Sequence, residues 1–164
     1  MDIFTDGSAI NNTQNAPTGA AVLFVKQKLL LCRSMIGTNN IGELDAMRYA
    51  LRVVNQNIKQ FGTTINIYSD SMYTINAVTG KNKAKANAEL IEKCKYYLNE
   101  LKSKHVKVNI KHVKAHTNKK DYLSMCNAIV DNHACMAAKE NTSNNWHRTP
   151  FTEKESEFIK SLKI

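Results

Sequence analysis

Three strand-like segments crowd into the first 36 residues, which constrains the fold more than any other feature of the chain. Met1–Ser8 alternates apolar and polar residues and ends in a Gly-containing turn. Gly19–Val25 and Lys28–Ile36 follow, joined across Lys26 and Gln27 as a hairpin, while Asn11–Thr18 is a polar loop. Consecutive strands with short links favour antiparallel pairing. The period then changes. Ala46, Met47, Ala50, Leu51 and Val54 recur at helical spacing and predict a helix from about Gly42 to Asn57. Gly62 breaks the chain, Thr64–Asp70 is a strand ending at an acid, and a short helix covers Ser71–Val78. After an exposed loop, Thr79–Ala86, come a helix over Asn87–Lys104 and a fifth strand on Val106, Val108 and Ile110. A polar loop, His116–Ser124, leads to a last core helix from Met125 to Glu140. Strands separated by helices pair in parallel through crossovers. The expected class is α/β: a five-stranded mixed sheet, three strands antiparallel and two parallel, flanked by helices.

At 164 residues the chain suits one domain with its own core. No apolar run approaches the ~18 residues of a membrane span, and no secretory signal opens the sequence. The four cysteines form no C-x-x-C pair, and Cys126, His133 and Cys135 do not match a structural zinc site. Free thiols point to a reducing, intracellular setting. The net charge of +9 suits a polyanionic partner such as nucleic acid, or a merely soluble basic surface. Asn141–Asn145 is a polar linker, and Thr152 and Glu155 form a capping box for a small terminal helix. Phe158, Ile159 and Leu162 give that helix an apolar side.

Four acids stand out. Asp6 and Asp70 sit near the ends of the first and fourth strands, where they would share one sheet edge if those strands are neighbours. Glu43 shares a helix face with Ala46, Met47, Ala50 and Leu51, and Asp131 shares one with Asn127, Ala134 and Ala138. A carboxylate on an apolar stripe is unfavourable unless something pairs with it. A shared divalent cation would resolve the repulsion, and hard oxygen ligands favour Mg²⁺ or Mn²⁺. Each acid also has an ordinary explanation: Asp6 as a turn residue, Glu43 as a first-turn acid, Asp70 as a helix cap, and Asp131 as the partner of a lysine.

At these residues the sequence resembles the type 1 ribonuclease H family. The segments are Ile3-Phe4-Thr5-Asp6-Gly7-Ser8, Thr38-Asn39-Asn40-Ile41-Gly42-Glu43-Leu44, Ile67-Tyr68-Ser69-Asp70-Ser71-Met72-Tyr73, and His112-Val113-Lys114-Ala115-His116 with Asn127-x-x-x-Asp131-x-x-Ala134. They occur in the family order over roughly residues 1–140. The resemblance implies a catalytic domain over 1–140, with 141–164 outside it as linker and short helix. It implies hydrolysis of the RNA strand of RNA–DNA hybrids by two metal ions, giving 5′-phosphate and 3′-hydroxyl ends. Asp6, Glu43, Asp70 and Asp131 become the metal-binding catalytic set, and His116 the mobile-loop histidine that aids proton transfer or product release. An imidazole suits that role because its type titrates near neutrality.

The resemblance also implies substrate contacts. Gly7, Ser8 and Asn12 would meet the RNA strand. Thr38 would bind a DNA phosphate, with Asn39 and Asn40 at the minor groove. Tyr73 and Asn87 would serve the DNA strand. The loop Thr79–Ala86 stands where many members carry an extra basic helix, and Lys81, Lys83 and Lys85 partly replace its charge. Ile36 stands where some have a phosphate-binding arginine. Both departures imply weaker, more salt-sensitive hybrid binding. A related nuclease, a hybrid-binding module and a domain of a reverse transcriptase are the competing expectations. The complete acid set and His116 favour an active ribonuclease H, expected as a monomer with no membrane association.

Overall fold

A computed structural model describes residues 1–81 and 86–164. Lys83 and Lys85, expected to supply loop charge, lie outside the described residues. Strands β1 (Asp2–Ala9), β2 (Ala16–Phe24) and β3 (Leu29–Gly37) form the antiparallel meander. The β2–β3 hairpin closes with the Lys28 amide donating to the Val25 carbonyl at 3.0 Å. Between β1 and β2, Asn11, Asn12 and Asn15 all take positive φ. Asparagine tolerates this left-handed region because its short polar side chain can bond locally. The glycine-poor loop therefore turns on asparagines.

Strand β4 (Thr64–Ser69) pairs in parallel with β1, and β5 (Lys107–His112) in parallel with β4. The expected five strands are corrected to six, in the order β5-β4-β1-β2-β3-β6. The added strand, β6 (His147–Arg148), pairs antiparallel with Leu31 and Cys32 of β3. Two paired residues carry no readable alternation, so the sequence pattern does not reveal it.

The helices are α1 (Asn39–Gln56), α2 (Ile58–Phe61), α3 (Met72–Val78), α4 (Ala88–Ser103), α5 (Tyr122–Glu140) and α6 (Glu153–Ser161). Two of them begin earlier than the apolar spacing predicts. Thr38 caps α1 by accepting from the Ile41 amide, and Asp121 caps α5 by accepting from the Ser124 amide.

Alternating residues of β1 feed two cores. Ile3 packs under α1 and α4 with Leu44, Met47 and Leu51. Phe4 points the other way, to α5 and α6, with Ile129, Val130 and Ile159. Each fully buried Leu or Ile contributes roughly 1.5–3 kcal/mol over exposure. Two glycines set the helix distances. A Cβ on Gly7 would run into the backbone of Gly42 and Glu43, and one on Gly19 into the Ala134 carbonyl. The predicted capping box is present at α6, and Phe158, Ile159 and Leu162 join the α5-side core.

Candidate active site

Sheet register brings the first two acids together. Pairing between β1 and β4 ends at Thr5 and Ser69, so Asp70 leaves the sheet beside Asp6. Asp6 itself lies within β1, opposite Ala21, and not in a turn. Glu43 sits one turn inside α1, where the Gly7–Gly42 approach lets the helix lie close on β1. Asp131 stands midway along α5.

Carboxylate oxygens of Asp6, Glu43 and Asp70 all lie within 4.8 Å of one another. Asp6 and Glu43 are buried, Asp70 half-buried. Burial pushes the Asp6 carboxyl up to about 8, and the charges of Asp70 and Asp131 add to the rise, although a hydrogen bond with Glu43 opposes it. Burial raises Glu43 well above the ordinary carboxylate range, and the nearby charges of Asp6 and Asp70 push the same way. Among the described residues, no Lys or Arg forms an ion pair with any of the three. Asp131 stands at the rim with its carboxylate 3.7 Å from His116 Nδ1.

The ordinary explanations for these acids do not hold. No acid occupies the first turn of α1, so Glu43 gains little from the helix dipole. Ser71, not Asp70, caps α3 by accepting from the Thr74 amide at 3.1 Å. Asp131 has no lysine partner among the described residues. Glu43 Oε2 is buried without a hydrogen-bond partner. A buried, unpaired carboxylate oxygen facing two other carboxylates fits a divalent cation, because hard oxygen donors with no protein cation are what Mg²⁺ or Mn²⁺ binds.

An open cleft of about 360 Å³ gathers most of the expected site. Asp6, Glu43, Asp70, Asp131 and His116 line it, with Gly7, Ser8, Asn39 and Asn40. His116 is exposed and adopts a left-handed backbone, φ 50°. Asn39 accepts a hydrogen bond from the Ala9 amide, and Asn40 is exposed. Thr38 spends one lone pair on its cap. Four expected substrate residues, Asn12, Thr38, Tyr73 and Asn87, stand outside the cleft lining. Asn87 donates to the Tyr73 hydroxyl at 3.1 Å, so these two form a pair of their own. Asn12 is exposed on the β1–β2 loop.

One residue of the site was not singled out from the sequence. Asn127, buried on α5, donates to Asp70 Oδ2 at 3.4 Å and so joins α5 to the β4 acid. Its spacing of four residues from Asp131 puts both on one helix face, a placement the sequence shows without giving Asn127 a role.

The sequence model of the RNase H family matches residues 1–139. None of the curated proteins matches the chain in sequence. Among solved structures, the N-terminal RNase H domain of a Mycobacterium tuberculosis protein, fused to maltose binding protein, is similar at 20% identity and TM-score 0.61. That alignment covers 85% of this chain and 95% of the other. RNase H1 from the halophilic archaeon Halobacterium salinarum NRC-1 is similar at 22% identity and TM-score 0.58, covering 85% and 97%. LC11-RNase H1, isolated from compost by a metagenomic approach and solved in complex with an RNA/DNA hybrid, is similar at 21% identity and TM-score 0.61, covering 85% and 96%.

Proposed function

Because the chain belongs to the RNase H family, we propose that it cuts the RNA strand of RNA–DNA hybrids internally, leaving 5′-phosphate and 3′-hydroxyl ends. It is a ribonuclease H enzyme, and Asp6, Glu43, Asp70 and Asp131 are the residues that would hold its divalent cations, Mg²⁺ or Mn²⁺. A bound pair of such ions supplies an activated water and a stabilised leaving oxygen.

The protein's own groups do the rest. Asn127 fixes the orientation of Asp70. Burial of Asp6 and Glu43 keeps bulk water from competing for their oxygens. His116, exposed beside Asp131, moves a proton between the cleft and solvent or helps the product leave. Gly7, Ser8 and Asn12 meet the RNA strand, where 2′-hydroxyls distinguish it from DNA. Thr38, Asn39 and Asn40 follow the minor groove, and the Tyr73–Asn87 pair serves the DNA strand. The hybrid bound to LC11-RNase H1 supports this substrate. The enzyme works as a monomer inside the cell. Its four free cysteines suit that setting, and among the described residues no helix is long and apolar enough to cross a membrane.

The observation that carries the reading is the partnerless Glu43 oxygen among three clustered acids within the RNase H match. Labelled RNA–DNA hybrid, duplex RNA and a four-way junction are incubated with Mg²⁺ or EDTA. Cleavage of the hybrid alone, abolished by EDTA and by Asp70→Asn, is expected. No hybrid cleavage under Mg²⁺ or Mn²⁺ would sink the reading.

A further inference from the structure

Residues beyond 139 lie outside the family match, yet they wrap the open edge of the sheet and touch a catalytic helix on each face. We propose that this C-terminal segment is a brace that positions Glu43 and Asp131 for metal binding, which rests on the metal-site reading above.

The brace is anchored at the edge strand. The Ser34 amide donates to the Ser143 carbonyl at 2.6 Å, and β6 pairs with β3 just beyond. On the α1 face, the Trp146 ring stacks on Tyr49 with centroids 4.1 Å apart and planes 8° from parallel. The Arg33 guanidinium lies 5.8 Å from the centre of the same Trp146 ring. Its Nε is 2.8 Å from Asp45, a buried acid two residues from Glu43. The chain thereby grips α1 at Tyr49, about 9 Å along the helix from Glu43, and reaches Asp45 through Arg33.

On the other face, His133 Nε2 lies 2.7 Å from Glu155 Oε1. His133 is buried, and the same Glu155 oxygen accepts from the Thr152 amide at 2.9 Å. The cap of α6 and the clamp on α5 therefore share one carboxylate oxygen. His133 follows Asp131 by two residues, about 200° around the helix, so the clamp holds α5 from the side away from the cleft.

Such support matters because crowded carboxylates repel, and a metal site needs its ligands held within roughly 0.5 Å. Covering the edge of β3 would alone protect it from pairing with other chains. That simpler role predicts lost stability with metal affinity unchanged.

The two roles separate in full-length protein. Binding of Mn²⁺ is read from the electron paramagnetic resonance signal of the free ion, alongside kcat and KM on hybrid. Trp146→Ala and Glu155→Ala are compared with Phe61→Leu, a core variant on the Phe24–Phe61 contact. The brace variants should weaken Mn²⁺ binding about tenfold, the low end of what lost support around metal ligands does. They should lower kcat while KM stays near wild type, and Glu155→Gln should recover most of the loss. Phe61→Leu should lower thermal stability only. Brace variants that bind Mn²⁺ like wild type, or no worse than Phe61→Leu, would overturn the proposal. Where an alanine variant does not fold, Trp146→Leu and Glu155→Met are read in the same way. Asp70→Asn is the reference: if it leaves Mn²⁺ binding intact, the metal reading fails and the brace with it. If it abolishes binding while the brace variants do not change it, the brace alone fails.

Discussion

Glu43 and Asp45 stand two residues apart on α1, both buried, and their surroundings are opposites. Asp45 is enclosed by arginines: Arg48 donates to it at 2.9 and 3.1 Å, and Arg33 lies 2.8 Å away. Glu43 faces Asp6 and Asp70, and one of its oxygens has no partner. Burial of a carboxylate is unfavourable in both places. At Asp45 the protein supplies the counter-charge itself, and the acid ties β3 to α1. At Glu43 it supplies more negative charge, so the compensation must come from outside the chain. Burial alone does not mark a functional acid; the sign of its neighbours does.

Substitution should separate the pair by what is lost. Glu43→Gln and Asp70→Asn should abolish most hybrid cleavage. Several kcal/mol of transition-state stabilisation is at stake, so turnover should fall on the order of 10³-fold. Single-turnover cleavage checks this, and a variant within tenfold of wild type would erase the distinction. Asp45→Asn should act on stability instead. It leaves two arginines without their partner, and breaking a buried pair costs about 3 kcal/mol at the low end. The low end applies because the Arg33 and Arg48 side chains keep 27% and 12% of their surface exposed. Urea unfolding measures it; unchanged stability would mean that the arginines do not compensate Asp45.

His116 sharpens the contrast from the rim. His116→Asn keeps a residue that tolerates the left-handed backbone there. Turnover should drop about 10²-fold, the lower end for a positioned proton carrier. Thermal stability should not change, because the imidazole is exposed. A variant that unfolds at a lower temperature would make His116 structural.

pH tests the same contrast without substitution. The Asp6 carboxyl is raised in the folded protein, to about 8 from an ordinary 3.8. The folded state therefore holds its proton where the unfolded chain has lost it. Metal-free stability from this group is full below about pH 4 and declines as pH rises toward 8. Glu43 shifts in the same direction and deepens the decline. Saturating Mg²⁺ should flatten this slope, as thermal melts in EDTA and in Mg²⁺ across that range would show. Metal-free stability that rises with pH over the window would contradict the raised carboxyl.

Much of this contrast was legible in the sequence. Glu43 and Asp131 stand out by sitting on apolar helix faces, whereas Asp6 and Asp70 share an edge only because β1 and β4 pair, which strand ends alone leave open. Asp45 does not stand out, because its partner Arg33 is twelve residues away on another element. Asn127 lies in the Asn127-x-x-x-Asp131 motif, but its bond to Asp70 exists only once α5 packs over the sheet. The start of α1 was placed late because Thr38-Asn39-Asn40 carries cap chemistry and loop chemistry in the same residues. The reach of the C-terminal segment depends on a two-residue strand and a single ring stack, neither of which has a period.

The central claim is that buried Glu43 is placed for a divalent cation and not for the fold. Thermal unfolding of wild type and Glu43→Gln at pH 8, each in EDTA and in Mg²⁺, tests it most directly. Glu43→Gln should be at least as stable as wild type in EDTA, and Mg²⁺ should raise the melting temperature of wild type alone. A wild type indifferent to Mg²⁺, with Glu43→Gln less stable in EDTA, would contradict it.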